Sequence, residues 1–202
     1  METIRTWYEQ VFKKTPVMAI LRGYSPEESL ELTRRAWDLG IDCVEIPIQD
    51  DDGLRALHYV ASAAAAEGRS VGAGTVINAV RLDSAVQAGA SFTVAPGFDP
   101  DVAQASLAAG LPHVPGVATG TDIQACLKLG INVVKAFPAS DLGAGWFTAM
   151  KGPFPEVSFV ATGGMNAHNA AQYLSAGASV IAVGSALKDP EQLPLLAALS
   201  RH

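Results

Sequence analysis

Residues 40–72 read GIDCVEIPIQDDDGLRALHYVASAAAAEGRSVG, and they contain one complete structural unit. Cys43–Ile48 is a short apolar run rich in β-branched residues, which predicts a strand. Gly53–Glu67 repeats its apolar residues at spacings of three and four, which predicts a helix with one buried face. Gly68 stands where a left-handed residue ends a helix at least cost. Ser70–Gly72 then opens a second strand. Strand, helix and strand in this order form a βα unit of a parallel sheet.

The same alternation continues in both directions. Further strands are predicted at Val17–Leu21, Phe92–Ala95, His113–Pro115, Val133–Phe137, Val157–Val160 and Val180–Val183. Further helices are predicted at Glu27–Leu39, Ala79–Ala88, Asp101–Ala109, Asp122–Leu129 and Asn169–Ala176, and Gly40, Gly89, Gly110, Gly130 and Gly177 follow them. Glu2–Lys14 reads as an extra amphipathic helix closing the bottom of the fold. Eight βα units with no Ser/Gly/Pro-rich linker predict one domain, residues 1–202, folded as a (β/α)8 TIM barrel. A doubly wound open sheet would give a similar local pattern, and the unit count favours the barrel.

Bulk composition narrows the function. Hydrophobic residues make up 49% and charged residues 17%, a globular balance. The net charge of −6 supplies no general attraction to nucleic acid or to an anionic membrane, so an anionic ligand must be held locally. Apolar runs stop well short of the about 18 residues that a membrane span needs, and the first residues lack a secretion signal. The expectation is a soluble cytoplasmic protein. Cys43 and Cys126 lie in apolar periodic segments and read as buried thiols. His58, His113, His168 and His202 have no metal-ligand spacing, so no metal is expected. No P-loop, Gly-x-Ser-x-Gly elbow or dinucleotide fingerprint is present.

In a barrel, chemistry gathers at the C-terminal ends of the strands. Lys135 lies in the apolar strand pattern Asn-Val-Val-Lys-Ala-Phe-Pro. Partial desolvation there disfavours its charged form and makes a Schiff base chemically reasonable; the alternative is a structural lysine reaching the barrel mouth. Glu45 stands between apolar residues in Cys-Val-Glu-Ile-Pro-Ile. It is either a proton shuttle for a lysine-bound carbonyl or the partner of an ion pair with Lys135 or Arg22. Arg22 closes the first strand, where its fork suits a carboxylate or phosphate. Thr75 follows two glycines that either let a ligand approach or only make a tight turn. Gly163 and Gly164 follow the seventh strand, Gly184 and Ser185 follow the eighth, and both segments are expected to open helices. Loops in these two positions are where barrels commonly bind phosphate.

Together these residues resemble the 2-keto-3-deoxy-6-phosphogluconate (KDPG) aldolase family, including its galactonate-specific branch. The resemblance is carried by Ala-Ile-Leu-Arg-Gly at 19–23, Val-Glu-Ile-Pro at 44–47, Gly-Ala-Gly-Thr-Val at 72–76, Pro-Gly at 96–97 and 115–116, Val-Lys-Ala-Phe-Pro-Ala at 134–139, Lys-Gly-Pro-Phe-Pro at 151–155, Thr-Gly-Gly at 162–164 and Val-Gly-Ser-Ala-Leu at 183–187. It implies that Lys135 is the Schiff-base lysine and Glu45 the general acid/base. It implies further that Thr75, Pro96 and Phe137 line a pyruvate pocket and that Gly163, Gly164, Gly184 and Ser185 bind phosphate. Many members carry an arginine four residues beyond the glutamate, where this chain has Gln49, so Arg22 is expected to take over the carboxylate. Ala161 stands where a proline often precedes Thr-Gly-Gly. The resemblance implies a phosphorylated keto-acid substrate, no cofactor, a homotrimer and a place in Entner-Doudoroff-type sugar-acid breakdown. A 4-hydroxy-2-oxoglutarate aldolase, a non-covalent sugar-phosphate isomerase or epimerase, and a catalytically silent sugar-phosphate-binding barrel are the rival readings.

Overall fold

The computed structural model describes residues 2–199. Nine strand segments form one parallel sheet: β1 Val17–Ile20, β2 Cys43–Pro47, β3 Gly72–Gly74, β4 Thr93–Val94, β5 His113–Val114, β6 Gly116–Val117, β7 Val133–Ala136, β8 Ser158–Thr162 and β9 Val180–Val183. Their order is β5-β4-β3-β2-β1-β9-β8-β7-β6, so β5 and β6 are the two ends of the sheet. Only Pro115 separates those ends. Proline has no N–H to give a ladder, which splits the stave. Its carbonyl still accepts from the Lys135 N–H at 2.8 Å, and the Gly116 N–H donates to the Gly97 carbonyl at 3.1 Å. The ring therefore closes through one residue, and the nine segments make eight staves of a (β/α)8 barrel rather than an open sheet.

The helices are α1 Glu2–Val11, α2 Pro26–Asp38, α3 Asp51–Ala66, α4 Ala79–Gln87, α5 Pro100–Ala108, α6 Gly120–Lys128, α7 Ala139–Leu142, α8 Ala144–Lys151, α9 Ala170–Ser175 and α10 Leu193–Ala197, with a 3-10 turn at Ser185–Lys188. Ser25, Asp50, Asn78, Asp99 and Thr119 cap α2 to α6 by accepting from backbone N–H groups in the first turn. All six glycines predicted to end helices have left-handed backbone, with φ from 66° to 112°. The predicted N-terminal helix ends at Val11 rather than Lys14. Buried Ile4 from the helix and Phe12 just past its end cover the barrel bottom, and the Trp7 ring lies 4.9 Å from that of Phe92 at the foot of β4. Each fully buried side chain of this size contributes about 1.5–3 kcal/mol.

Beyond shifts of one or two residues at element ends, the structure departs from the sequence reading in the third and seventh staves and after β7. The third strand is Gly72–Gly74 rather than Ser70–Gly72, because Glu45, Ile46 and Pro47 pair with Gly72, Ala73 and Gly74. A side chain at Gly72 would overlap the Phe92 ring and one at Gly74 would overlap the Glu45 carboxylate, so packing requires glycines that strand propensity disfavours. The seventh stave starts at Ser158 and extends to Thr162, which pairs with Ala182. The connection after β7 contains two short helices that the sequence pattern hides behind Gly143, whose φ of 75° separates them.

Between β4, β5 and α5 lies a buried polar chain. Ser106 Oγ donates to the Leu111 carbonyl at 3.2 Å, so the Thr93 hydroxyl donates to Ser106 at 2.7 Å and accepts from His113 Nδ1 at 2.8 Å. The ring proton of His113 therefore sits on Nδ1, and the buried Nε2 has no partner that could stabilise a second one. Burial pushes its pKa down to about 4, against a smaller opposing effect of Asp99. The unfolded chain takes up this proton near pH 6.5 and the folded chain only near pH 4. Stability from this group is therefore complete above pH 6.5 and is lost as pH falls toward 4, a difference of about 3 kcal/mol. The Glu45 carboxyl, raised by burial, has the opposite sign over part of this range. His113 is therefore isolated by denaturant unfolding of the natural chain and His113→Gln at each pH. The gap between them should shrink by about that amount from pH 7 to 4, and a constant gap would contradict the assignment.

Candidate active site

Lys135 is the third residue of β7, flanked in register by Gly116 and Val160. It is 4% exposed, and its Nζ lies 5.1 Å from the centre of the Phe137 ring, the next side chain on the same strand face. Glu45 is the third residue of β2, flanked by Ile20 and Gly72, and fully buried. Among eight staves these two are four apart, so they face each other across the barrel interior. Neither oxygen of the Glu45 carboxylate has a hydrogen-bond partner, and it forms no ion pair with Lys135 or Arg22 among the described residues. Burial pushes the Glu45 carboxyl above the ordinary carboxylate range, opposed by the charges of Lys135 and Arg22. A buried carboxyl without a partner is costly to the fold and well suited to gaining and releasing a proton. Gly74 gives it room.

The β4–α5 loop reaches the stave beside Lys135. A side chain on Gly116, beside Lys135, would overlap the Pro96 carbonyl, so this glycine lets Pro96 lie against the stave next to the lysine. Arg22 lies two residues beyond the end of β1. It donates from Nη1 to Gln49 Oε1 at 3.3 Å and from Nη2 to Thr75 Oγ1 at 3.4 Å. Both bonds are long, and the exposed fork keeps donors for an anion at the barrel mouth. Thr75 has φ 61°, a left-handed conformation that a β-branched residue adopts at a cost of about 1–3 kcal/mol. The two glycines before it lie in β3, where packing against Phe92 and Glu45 accounts for them.

The two glycine loops stand side by side because β8 pairs with β9. Gly163 and Gly164 have φ 98° and 73°, and the Gly163 carbonyl accepts from the Ser140 N–H at 3.0 Å. A side chain on Gly164 would press on Ser140 at 2.6 Å. The expectation that both loops open helices directly needs correction. α9 begins only at Ala170, after a turn braced by Asn166 and Asn169, and Ser185 starts a single 3-10 turn. Asn169 Oδ1 accepts from the Asn166 N–H, and Asn166 Oδ1 in turn accepts from the Asn169 N–H, which satisfies the backbone locally and delays the helix.

Two residues have surroundings that the sequence reading did not anticipate. Thr162, at the mouth end of β8, is 5% exposed and its hydroxyl has no partner. Arg81, in the first turn of α4, donates to the carbonyls of Thr75 at 3.2 Å and Gln49 at 2.9 Å. Cys43 and Cys126 are free and buried, and burial pushes the Cys126 thiol up to about 12. Among the described residues no group of His, Cys, Asp or Glu is arranged to hold a metal ion, and no helix is long and apolar enough to cross a membrane.

The chain is similar to known proteins along most of its length. A family model described as KDPG and KHG aldolase matches residues 8–195. A 2-dehydro-3-deoxy-phosphogluconate aldolase of Treponema pallidum is 34% identical over 91% of this chain and 86% of its own length. A 2-dehydro-3-deoxy-6-phosphogalactonate aldolase of Escherichia coli is 31% identical over 86% of this chain and 85% of its own. Among solved structures, KDPG aldolase of Legionella pneumophila, with pyruvate captured as a covalent carbinolamine intermediate, superposes with a TM-score of 0.82. It is 29% identical and covers 95% of this chain and 97% of its own. By its fold, its motifs and this match along nearly the whole length, the chain belongs to the KDPG and KHG aldolase family.

Proposed function

We propose that residues 1–202 form a single class I aldolase domain that cleaves KDPG, or its galactonate epimer, to pyruvate and D-glyceraldehyde 3-phosphate. The observation that carries this reading is the buried pair of Lys135 and Glu45 facing each other across the barrel, with the carboxyl unpartnered. The free amine of Lys135 adds to the C2 carbonyl. Glu45 moves protons through a water molecule until hydroxide leaves as water and an iminium remains. The carboxylate then accepts the C4 hydroxyl proton, the C3–C4 bond breaks, and its electron pair moves into the iminium to give an enamine. The aldehyde leaves, Glu45 returns the proton to C3, and hydrolysis releases pyruvate and the free lysine.

Arg22 holds the keto-acid carboxylate in the place that Gln49 leaves without a cation. Thr75, Pro96 and Phe137 shape the pyruvate end, and Gly163, Gly164, Gly184 and Ser185 hold the phosphate. The family description also covers KHG, so 4-hydroxy-2-oxoglutarate, which yields the same pyruvate half, is the second substrate reading. We place the enzyme in the cytoplasm as a homotrimer; the exposed Ile77 and Val80 at the start of α4 offer apolar surface for a second copy.

The phosphate assignment is tested by pyruvate release from KDPG and from unphosphorylated 2-keto-3-deoxygluconate. Ser185→Glu should lower kcat/KM for the phosphorylated substrate by about 10–100-fold through charge repulsion, with little change for the other. Equal losses on both would contradict it.

A further inference from the structure

We propose that Arg81 is a positioning residue for the carboxylate end of the substrate, holding in place the two loops whose side chains flank Arg22. This rests on Arg22 binding the keto-acid carboxylate. Arg22 is bracketed by the Gln49 amide and the Thr75 hydroxyl. Those residues belong to separate loops, after β2 and after β3. Behind them, the guanidinium of Arg81 donates Nη2 to the Gln49 carbonyl at 2.9 Å and Nη1 to the Thr75 carbonyl at 3.2 Å. One planar fork thus ties together the main chains of both residues that contact the other arginine, a task that a lysine's single ammonium performs less rigidly.

Two further observations make this more than a surface contact. Thr75 is held left-handed at φ 61°, and the Arg81 bond to its carbonyl fixes the peptide plane on its far side. Without that bond the residue is freer to relax toward the ordinary β or α regions, which would swing its hydroxyl away from Arg22. Arg81 also stands in the first turn of α4, next to the Asn78 cap that accepts its N–H at 2.9 Å. A cation there opposes the helix dipole, so helix stability gives no reason for an arginine at this position. The two carbonyl oxygens do.

The test is the pyruvate concentration that half-saturates borohydride trapping, read alongside kcat for KDPG cleavage and the unfolding temperature. Arg81→Met should raise the half-saturating concentration about ten-fold while changing trapping at saturation less than about two-fold, and Arg81→Lys should recover part of the loss. Because the effect passes through Arg22, Arg81→Met added to Arg22→Ala should cost less than about two-fold more. If Arg22→Ala weakens pyruvate binding and Arg81→Met does not, the positioning role is wrong while the carboxylate reading stands. If Arg22→Ala itself has no effect, both fail. A purely structural Arg81 would lower the unfolding temperature, and its penalty would be additive to that of Arg22→Ala. Should Arg81→Met fold poorly, Arg81→Gln gives the same comparison.

Discussion

Lys135→Met is expected to reduce aldol cleavage by at least about a thousand-fold while leaving the barrel folded, because no other described side chain in the site offers an amine to form the iminium. The substitution keeps most of the volume of a side chain that is 4% exposed, so it opens little cavity and strands no hydrogen bond of the strand ladder. It has a second consequence. Lys135 is the leading charge opposing the upward shift of Glu45, so its removal should raise the Glu45 carboxyl further and keep it protonated. Steady-state cleavage with a circular dichroism control measures the first effect. Turnover within about ten-fold of the natural chain would rule out covalent catalysis through this residue.

Glu45→Gln has the second largest expected effect, a loss of about 10²–10⁴ in kcat, the usual range for removing a positioned acid/base. Its stability should respond in a way that a structural carboxyl would not. A carboxyl raised by burial is penalised in the folded state once pH exceeds the unfolded value near 4.5, and the penalty grows until the folded group ionises. The glutamine chain escapes that pH-dependent term, so its stability relative to the natural chain should improve as pH rises from 4.5 toward neutrality. An ion-paired structural glutamate would give the reverse trend. For activity, the acid limb of the natural chain's kcat/KM profile should lie above the ordinary carboxylate range and vanish in Glu45→Gln. A mutant that is slower with the same acid limb would assign that limb to another group.

Most of the architecture was legible because its signals are local. Each of α2 to α6 carries a capping side chain at one end and is followed by a left-handed glycine at the other, and these signals do not depend on what lies across the fold. The misplacements occur where distant packing decides. β3 is Gly-Ala-Gly because Phe92 and the Glu45 carboxylate need the space, information held 20 to 30 positions away. α7 is a single turn and α8, beyond Gly143, only about two, too short for apolar spacings of three and four to repeat.

In the site, Lys135 and Glu45 stood out as charges inside apolar strands. That Glu45 lacks a partner follows only from the closed barrel, which sets it opposite the lysine without contact. Arg81 was hidden because an arginine on a helix reads as a solvated charge; its position in the first turn, against the dipole, was the available signal. Thr162 was read as part of the glycine loop, and its burial emerged only when β8 extended to it. His113 was read only for its lack of metal spacing, which carries no information about the burial that holds it neutral or about the Thr93–Ser106 chain to which it donates.

The most direct test of the central claim is mass spectrometry of the intact protein and its peptides after incubation with pyruvate and sodium borohydride, which reduces a Schiff base to a stable amine. A single reduced pyruvate adduct on the peptide containing Lys135, missing from Lys135→Met, is the predicted result. No adduct on correctly folded protein would contradict the account and favour a non-covalent isomerase or a barrel that only binds its sugar phosphate.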